Sequence, residues 1–489
     1  MSVLGIDIGT TGCKAILIDR ENAVIGHGYA GYGYKSYGDG RVEQNPEDWY
    51  QAMTEAAKQA LKGHDAEYIQ AISMSTQGGS SCLLDENDNI ITPAITWMDS
   101  RAERQADELD ELLGGDYIYL TTGWKSHAGL DMAKARWIQE NEPAWMEKAK
   151  YFVSTLEYIQ FRLTGVMSID PTNAAMRQMM NLQTLTWDSR ILSAVTLEQE
   201  KLPPITPVGT FLGPLLPQAA LEMGLTTHTV VFQGAHDQYC GALGSTAFHP
   251  GDLMVSTGTA WVILATVDHV VSTSTYISPG PHVLPGVYGA LASLSTGGAA
   301  LDWIKSNAKD LTYLKIDEYA HCCHEGNRNL LFYPYLTGAG YPIWKSSFKA
   351  SFLGLELYHT SEDLAVACME SIAFQLRLMI EDYEKNSIAV NCIKITGGAA
   401  KSSAWLKIIQ SVIRRPVYVA EVKDAACIGA AAIAGVGVGM YADYDEAVSH
   451  FTRLTPVESA SSDMNSYYEK KYKKFVQGLI ALQSIDQWE

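Results

Sequence analysis

The sequence has no long apolar run, no paired-cysteine spacing and no surplus of positive charge, and each absence removes a class of function. Its longest weakly polar stretch, residues 425–441, is rich in Ala and Gly and falls short of the roughly 20 apolar residues that a spanning helix needs. The eight cysteines are scattered without a CxxC pair, which points to buried free thiols in a reducing cytoplasm rather than to a disulfide framework. Lys and Arg number 36 against 55 Asp and Glu, a formal net charge of −19. A chain this acidic is expected to bind neither nucleic acid nor an anionic membrane. The first residues read as a strand rather than a charged segment plus an apolar core, so no secretory leader is expected. A lone GxGxxG at Gly26-His27-Gly28-Tyr29-Ala30-Gly31 runs on into more Gly and Tyr. A dinucleotide fingerprint needs a helix there, so this reads as a loop or edge strand. His321-Cys322-Cys323-His324 resembles a metal cluster, but neighbouring helical residues point in different directions, and a partly buried helix end is expected instead.

What the chain does have is a small α/β vocabulary used twice. With 489 residues, 47% hydrophobic and 19% charged, it is long enough for two or three domains with large cores. In Leu4-Gly5-Ile6-Asp7-Ile8-Gly9-Thr10-Thr11-Gly12-Cys13-Lys14-Ala15-Ile16-Leu17-Ile18, two β-branched runs flank a tight Gly/Thr loop, which predicts a buried hairpin. Gly9 and Gly12 let the backbone turn and approach a ligand, and the loop amides suit an anion. Asp7 at the mouth suits a magnesium ion held through water. An ordinary glycine turn with a structural Asp accounts equally well for this stretch alone. Residues 252–264 repeat the pattern, with Thr257, Gly258 and Thr259 in the loop. The copies fall in the two halves of the chain, which suggests duplication. Facing each other across a cleft, they would grip a polyphosphate from both sides.

Between the hairpins, Asn45-Pro46-Glu47-Asp48 predicts a capped helix running to Leu61. A strand over 69–75 leads to Gln77 and Gly78. A hairpin is predicted over 82–85 and 88–91, and a strand over 95–101 that ends near Asp99. Gln77 and Asp99 at strand ends suit a polyol, whose hydroxyls need donors and acceptors, although loop capping accounts for them too. Helices are predicted over 102–113, stopped by Gly114-Gly115; over 132–140, with Trp137 in the core; and over 152–163. The five prolines of 202–217 predict an extended crossing. A strand at 230 then turns into a Gly/Ala helix near Asp237. There the helix dipole favours a carboxylate able to take a proton, and a plain N-cap is the alternative. Later, Gly297-Gly298 follows the second hairpin, and the Gly397-Gly398 turn leads from a strand into a helix start, the natural seat of a nucleotide's phosphate or ribose. The small-residue helix of 424–439 suits close packing against a neighbour or a ligand, tight core packing being the plainer account.

In this order the motifs GIDIGTTG, STQGGSS with TWMDSR, GAHDQYCGALGS, STGTAW and ITGGAAKSSAW resemble the FGGY carbohydrate kinase family over nearly the whole chain. One family signature is partly met at Lys134-Ala135-Arg136-Trp137, and a second from Ala350 to Glu370 with Cys368 departing from it. The resemblance implies an α/β fold of two actin/hexokinase-type (ribonuclease H-like) domains, 1–245 and 246–489, with ATP and a sugar in the cleft between them. Position by position, it implies that Asp237 is the catalytic base and Asp7 the residue near Mg2+. Thr10, Thr11, Gly12 and Lys14 fall on the first phosphate loop, and Thr257, Gly258 and Thr259 on the second. Gly298, Gly397, Gly398 and Ala399 fall on the nucleotide region, and Gln77, Gly78 and Asp99 on the sugar side.

Xylulokinase-type members carry Gln-Met-His-Gly where this chain has Gln77-Gly78-Gly79-Ser80, a change expected to enlarge the pocket and remove an imidazole. Glycerol kinases carry Arg and Glu there, which disfavours glycerol. The expected substrate is a ketopentose such as xylulose, or a related open-chain sugar or polyol. Gluconate or erythritol specificity and an actin-like or chaperone-like ATPase are the alternatives. A homodimer is compatible with the sequence.

Overall fold

The computed structural model describes residues 1–21, 23–271, 277–322, 329–343, 345 and 347–485. Two compact units emerge: Met1–Phe248 with Asp268–Ala290 and Val422–Thr452, and His249–Val267 with Leu291–Glu421 and Arg453–Glu489. The segments 268–290 and 422–452 lie beyond the 245/246 division expected from sequence, yet pack with the first unit.

The first unit is built on a mixed sheet. β1 (Ser2–Ile8), β2 (Gly12–Asp19) and β3 (Val24–Gly31) form an antiparallel meander. The helix α1 (Pro46–Leu61) is capped by the Asn45 side chain, which accepts from the Glu47 amide at 3.2 Å. It packs so closely on β3 that a β-carbon on Gly26 or Gly28 would stand 1.9 or 1.8 Å from the carbonyl oxygens of Ala60 and Ala56. That contact explains the glycine spacing, and β3 is the expected edge strand.

β4 (Ile69–Thr76) lies parallel to β1. After a one-and-a-half-turn helix α2 (Pro171–Met176) come β5 (Phe211–Pro214), β6 (Val230–Phe232) and β7 (Ala235–His236). β6 and β7 both run parallel to β4 and deliver the chain to helix α3 (Asp237–Gly244). The sheet order is β5-β6-β4-β1-β2-β3, with β7 beside β4. The small-residue helix Ala425–Gly437 covers β1 and α3, and close packing is its role: a β-carbon on Gly429 would come 2.1 Å from the Cys240 carbonyl oxygen.

Several local expectations change. The helix expected over 152–163 begins at Thr155, because Tyr151–Ser154 pairs as a strand with Ser81–Leu84. A distant partner overrides local helical periodicity there. The second arm of the 82–91 hairpin shrinks to one bridge, Leu84 to Ile90, and the strand expected over 95–101 is only Ala94–Ile95. Trp137 is half-buried: it packs against two hydrophobic clusters as expected, with the Arg101 guanidinium 5.1 Å over its ring. The interior face of its helix, Asp131–Asn141, also buries Asp131 and Lys134.

In the second unit, β8 (Asp252–Thr257) and β9 (Trp261–Val267) form the second hairpin. β8 runs parallel to β10 (Cys392–Gly397), which runs parallel to β11 (Val417–Glu421). The helix α4 (Gly298–Asn307) follows Gly297. Cys13, Cys82, Cys240, Cys368 and Cys427 are buried free thiols and Cys392 is partly buried. His321 lies in the last turn of the helix Tyr313–Cys322, with Nε2 2.9 Å from Ser403 Oγ; Cys323 and His324 lie outside the described residues. No described helix is long and apolar enough to cross a membrane.

Candidate active site

In the first unit, the β1–β2 loop closes with the Gly9 amide donating to the Gly12 carbonyl at 3.0 Å. Its carbonyls are tied from outside. The Tyr32 hydroxyl donates to Gly9 O, the Tyr32 amide to Thr11 O at 3.1 Å, and Gln44 Nε2 to Thr10 O at 2.7 Å. The amides of Thr10 and Thr11 find no protein acceptor among the described residues. A rigid loop with outward amides is an anion nest. Gly12 admits the Tyr29 ring, which a β-carbon would meet at 2.9 Å. Lys14 is paired with Asp424, Nζ to carboxylate 2.8 Å, so its charge is shared before any phosphate arrives.

Parallel pairing of β4 with β1 and β7 brings Asp7 and Asp237 to the same edge of the sheet. Asp237 is the first residue of α3. The N-cap is His236, so Asp237 is not a capping residue. Its Oδ1 is buried, takes no hydrogen bond, and lies 3.2 Å from His236 Nε2. Burial pushes the Asp237 carboxyl up to about 6, partly opposed by hydrogen bonds from Gln238. Asp7 is also pushed up to about 6, by burial and then by the Asp237 charge, against a 2.7 Å hydrogen bond from Ser75 Oγ. Both remain largely ionised at pH 7, so the site concentrates negative charge.

That charge fits a divalent cation. Among the described residues no group of three or more His, Cys, Asp or Glu is arranged to hold a metal. An ion there would depend on one or two carboxylates, water and phosphate oxygens, which is the habit of Mg2+.

On the other side of this edge, Gln77 donates Nε2 to Gln44 Oε1 at 3.0 Å, while its own Oε1 is buried without a partner. Gly78 lies against His236, and a β-carbon there would come 2.7 Å from the ring. The larger pocket expected from the lost Met at this position is therefore corrected: the ring of His236 fills the space over Gly78, while Gly79, at the lost His, has no imidazole among its nearest neighbours. Asp99 is also corrected. Its carboxylate is buried and accepts from the Val42 amide at 2.6 Å and from the Arg101 amide and guanidinium at 2.8–3.0 Å. These donors occupy both oxygens, so Asp99 anchors its loop rather than meeting a sugar.

Two residues escaped the sequence reading. Trp97 is 46% exposed and donates Nε1 to Thr10 Oγ1 at 3.2 Å; the signal was an aromatic placed in a polar turn. His236 directly precedes Asp237, and its imidazole is the other.

In the second unit, the β8–β9 loop is clamped by two glycine turns. The Gly298 and Ala299 amides donate to Gly258 O and Thr259 O at 3.0 Å, and the Gly398 amide to Thr257 O at 2.8 Å. Thr257 Oγ1 accepts from the Ala399 amide at 3.0 Å. A β-carbon on Gly298 would strike Gly258 O at 2.6 Å, and one on Gly397 would strike Thr257 O at 2.7 Å. Gly298, Gly398 and Ala399 thus spend their amides on holding the loop. The Gly258 and Thr259 amides find no protein acceptor among the described residues.

Two hairpin loops with outward amides, one of them beside a pair of carboxyls, are an arrangement that phosphoryl transfer can use. Residues 2–244 match the model of the N-terminal domain, and residues 253–438 that of the C-terminal domain, of the FGGY family of carbohydrate kinases, and the chain belongs to that family. It is therefore a carbohydrate kinase, acting on a small-molecule sugar, and kinases of this family use ATP.

It is 30% identical to a gluconokinase of Bacillus subtilis over 94% of this chain and 93% of the relative. It is 28% identical to a xylulose kinase of the same organism over 96% and 94%. A xylulose kinase structure from Lactobacillus acidophilus superposes with a TM-score of 0.91 at 27% identity, covering 99% of this chain and 98% of that one.

Proposed function

We propose that this kinase transfers the γ-phosphoryl group of MgATP to a hydroxyl of a neutral open-chain sugar or polyol, a ketopentose such as xylulose being the first candidate. The observation that carries this reading is the pair of buried polar atoms without partners at the edge of the first sheet, Gln77 Oε1 and His236 Nδ1, on the residues that adjoin the Asp237 carboxylate. Buried polar groups need hydrogen bonds, and a polyhydroxy chain supplies donors and acceptors together.

In this reading, Asp237 takes the proton of the attacking hydroxyl as the O–P bond forms. Trp97 offers an exposed apolar face to the carbon chain. Thr10, Thr11 and Gly12 in one loop, and Thr257, Gly258 and Thr259 in the other, offer amides and hydroxyls to phosphate oxygens. Asp7 would hold Mg2+ through water, and the ion would neutralise phosphate charge. Transfer of this kind asks for alignment and charge stabilisation more than covalent help.

A sugar acid is the second reading, favoured by the 30% identity to a protein named gluconokinase. The local charges oppose it. Asp7 and Asp237 both place negative charge there, and the ammonium of Lys14, which acts on Asp7, is already paired with Asp424 at 2.8 Å. ADP release measured across ketopentoses, polyols, glycerol, erythritol and gluconate tests the choice. The highest kcat/KM is expected on a neutral ketopentose or polyol. A clear preference for gluconate would replace this reading with the second.

A further inference from the structure

His236 occupies a constrained place beside Asp237. Its residue is 5% exposed. Its amide donates to Thr172 Oγ1 of α2 at 2.9 Å, and that hydroxyl is itself bonded to Asp170. The ring therefore sits on a fixed backbone. The ring lies against Gly78, where a β-carbon would come 2.7 Å from Cδ2 and 2.9 Å from Nε2, and as close, 2.9 Å, to Met176 Cγ. The Tyr239 ring lies 6.0 Å away, centroid to centroid. Any residue larger than glycine at 78 would displace the imidazole. Burial holds this histidine neutral down to about pH 4, so the ring carries one N–H over the working range. Nδ1 is buried without a partner, and Nε2 is 3.2 Å from Asp237 Oδ1. A buried donor without an acceptor is costlier than a bare acceptor, so the proton belongs on Nε2, beside the carboxylate.

We propose that His236 is a positioning residue for Asp237: its Nε2–H engages Oδ1, turns Oδ2 toward the acceptor hydroxyl, and depends on Gly78 for the room to do so. This rests on the reading of Asp237 as the base. It is the base-and-orienter arrangement that proton-transfer sites commonly use. The 3.2 Å approach is not yet an aligned hydrogen bond, as is usual before substrate binds. Side-chain exposure of Asp237 is 28% although Oδ1 is buried, which leaves Oδ2 as the accessible oxygen.

Steady-state kinetics of five variants test it. His236→Ala is expected to lower kcat about 10- to 100-fold with KM for ATP within about twofold, and His236→Gln, which keeps a donor, to recover at least about fivefold of that. Gly78→Ala should also lower kcat, and the double variant Gly78→Ala/His236→Ala should be no worse than His236→Ala alone. Additive losses, no recovery by Gln, or a collapse of ATP binding together with kcat would overturn the proposal. Asp237→Ala separates the two ideas. If it keeps more than about a tenth of kcat, the base assignment falls and this inference with it. If it is inactive while His236→Ala stays within about twofold of the parent, only this inference falls.

Discussion

Gly5 of β1 lies directly against Cys427 of the helix Ala425–Gly437: a β-carbon on Gly5 would stand 2.2 Å from the Cys427 carbonyl oxygen and 2.7 Å from the Ala431 β-carbon. The same helix accepts α3 at Gly429 and Gly244. One support thus braces both the strand that carries Asp7 and the helix that starts with Asp237. Gly5→Ala should destabilise the protein by about 1–3 kcal/mol, the usual range for overpacking, because rigid backbone has no room to yield. Urea unfolding checks this, and an unchanged midpoint would contradict it.

The raised Asp237 carboxyl has a stability consequence. Folded, it holds its proton up to about pH 6; its ordinary value is 3.8. The group favours the folded state fully below pH 3.8, and that advantage is lost as pH rises through 6. Asp237→Asn removes a buried charge and should stabilise the fold at pH 8 by about 1–2 kcal/mol, discounted for partial exposure. The gain should vanish near pH 3.5. Thermal melting of parent and variant at both pH values decides it; a variant melting lower at pH 8 would contradict the account.

Activity should follow the same groups in the opposite sense. In the proposed roles Asp237 would act ionised and Asp7 would serve a cation best ionised, and both sit near 6. The kcat/KM profile should fall on the acid side with a midpoint near pH 6, reported as a property of the pair. A profile flat down to pH 5 would be inconsistent with either role.

Thr257 ties the β8–β9 loop, proposed to bind phosphate, to the turn after β10 through one hydroxyl, which accepts from the Ala399 amide and donates to the Thr396 carbonyl. Thr257→Val keeps the shape and removes both bonds. KM for ATP should rise about tenfold with KM for sugar within about twofold, since a lost buried hydrogen bond costs on the order of 1–3 kcal/mol. Equal effects on both substrates would place Thr257 elsewhere in the mechanism.

The hairpins at Asp7 and Thr257 were legible because alternation, β-branching and glycine turns are local signals. The cap at Asn45 and the edge strand at Gly26–Gly31 were legible for the same reason. What escaped depended on distant partners. Tyr151–Ser154 is a strand because Ser81–Leu84 lies beside it. Asp99 looked available until Val42 and Arg101 arrived at its oxygens. Gly78 read as a missing side chain, whereas the fold shows it as the space His236 requires. The segment 422–452 that packs back onto the first unit carried only the small-residue signal of its helix, which does not name its neighbour.

The central claim is that the Asp237 carboxylate takes the proton of the sugar hydroxyl during transfer. Its most direct measurement is single-turnover transfer from bound ATP by Asp237→Ala, with nucleotide affinity measured in parallel. The account predicts a loss of about 10²–10⁴-fold in the transfer rate with ATP affinity essentially unchanged. Transfer at more than about a tenth of the parent rate would contradict it.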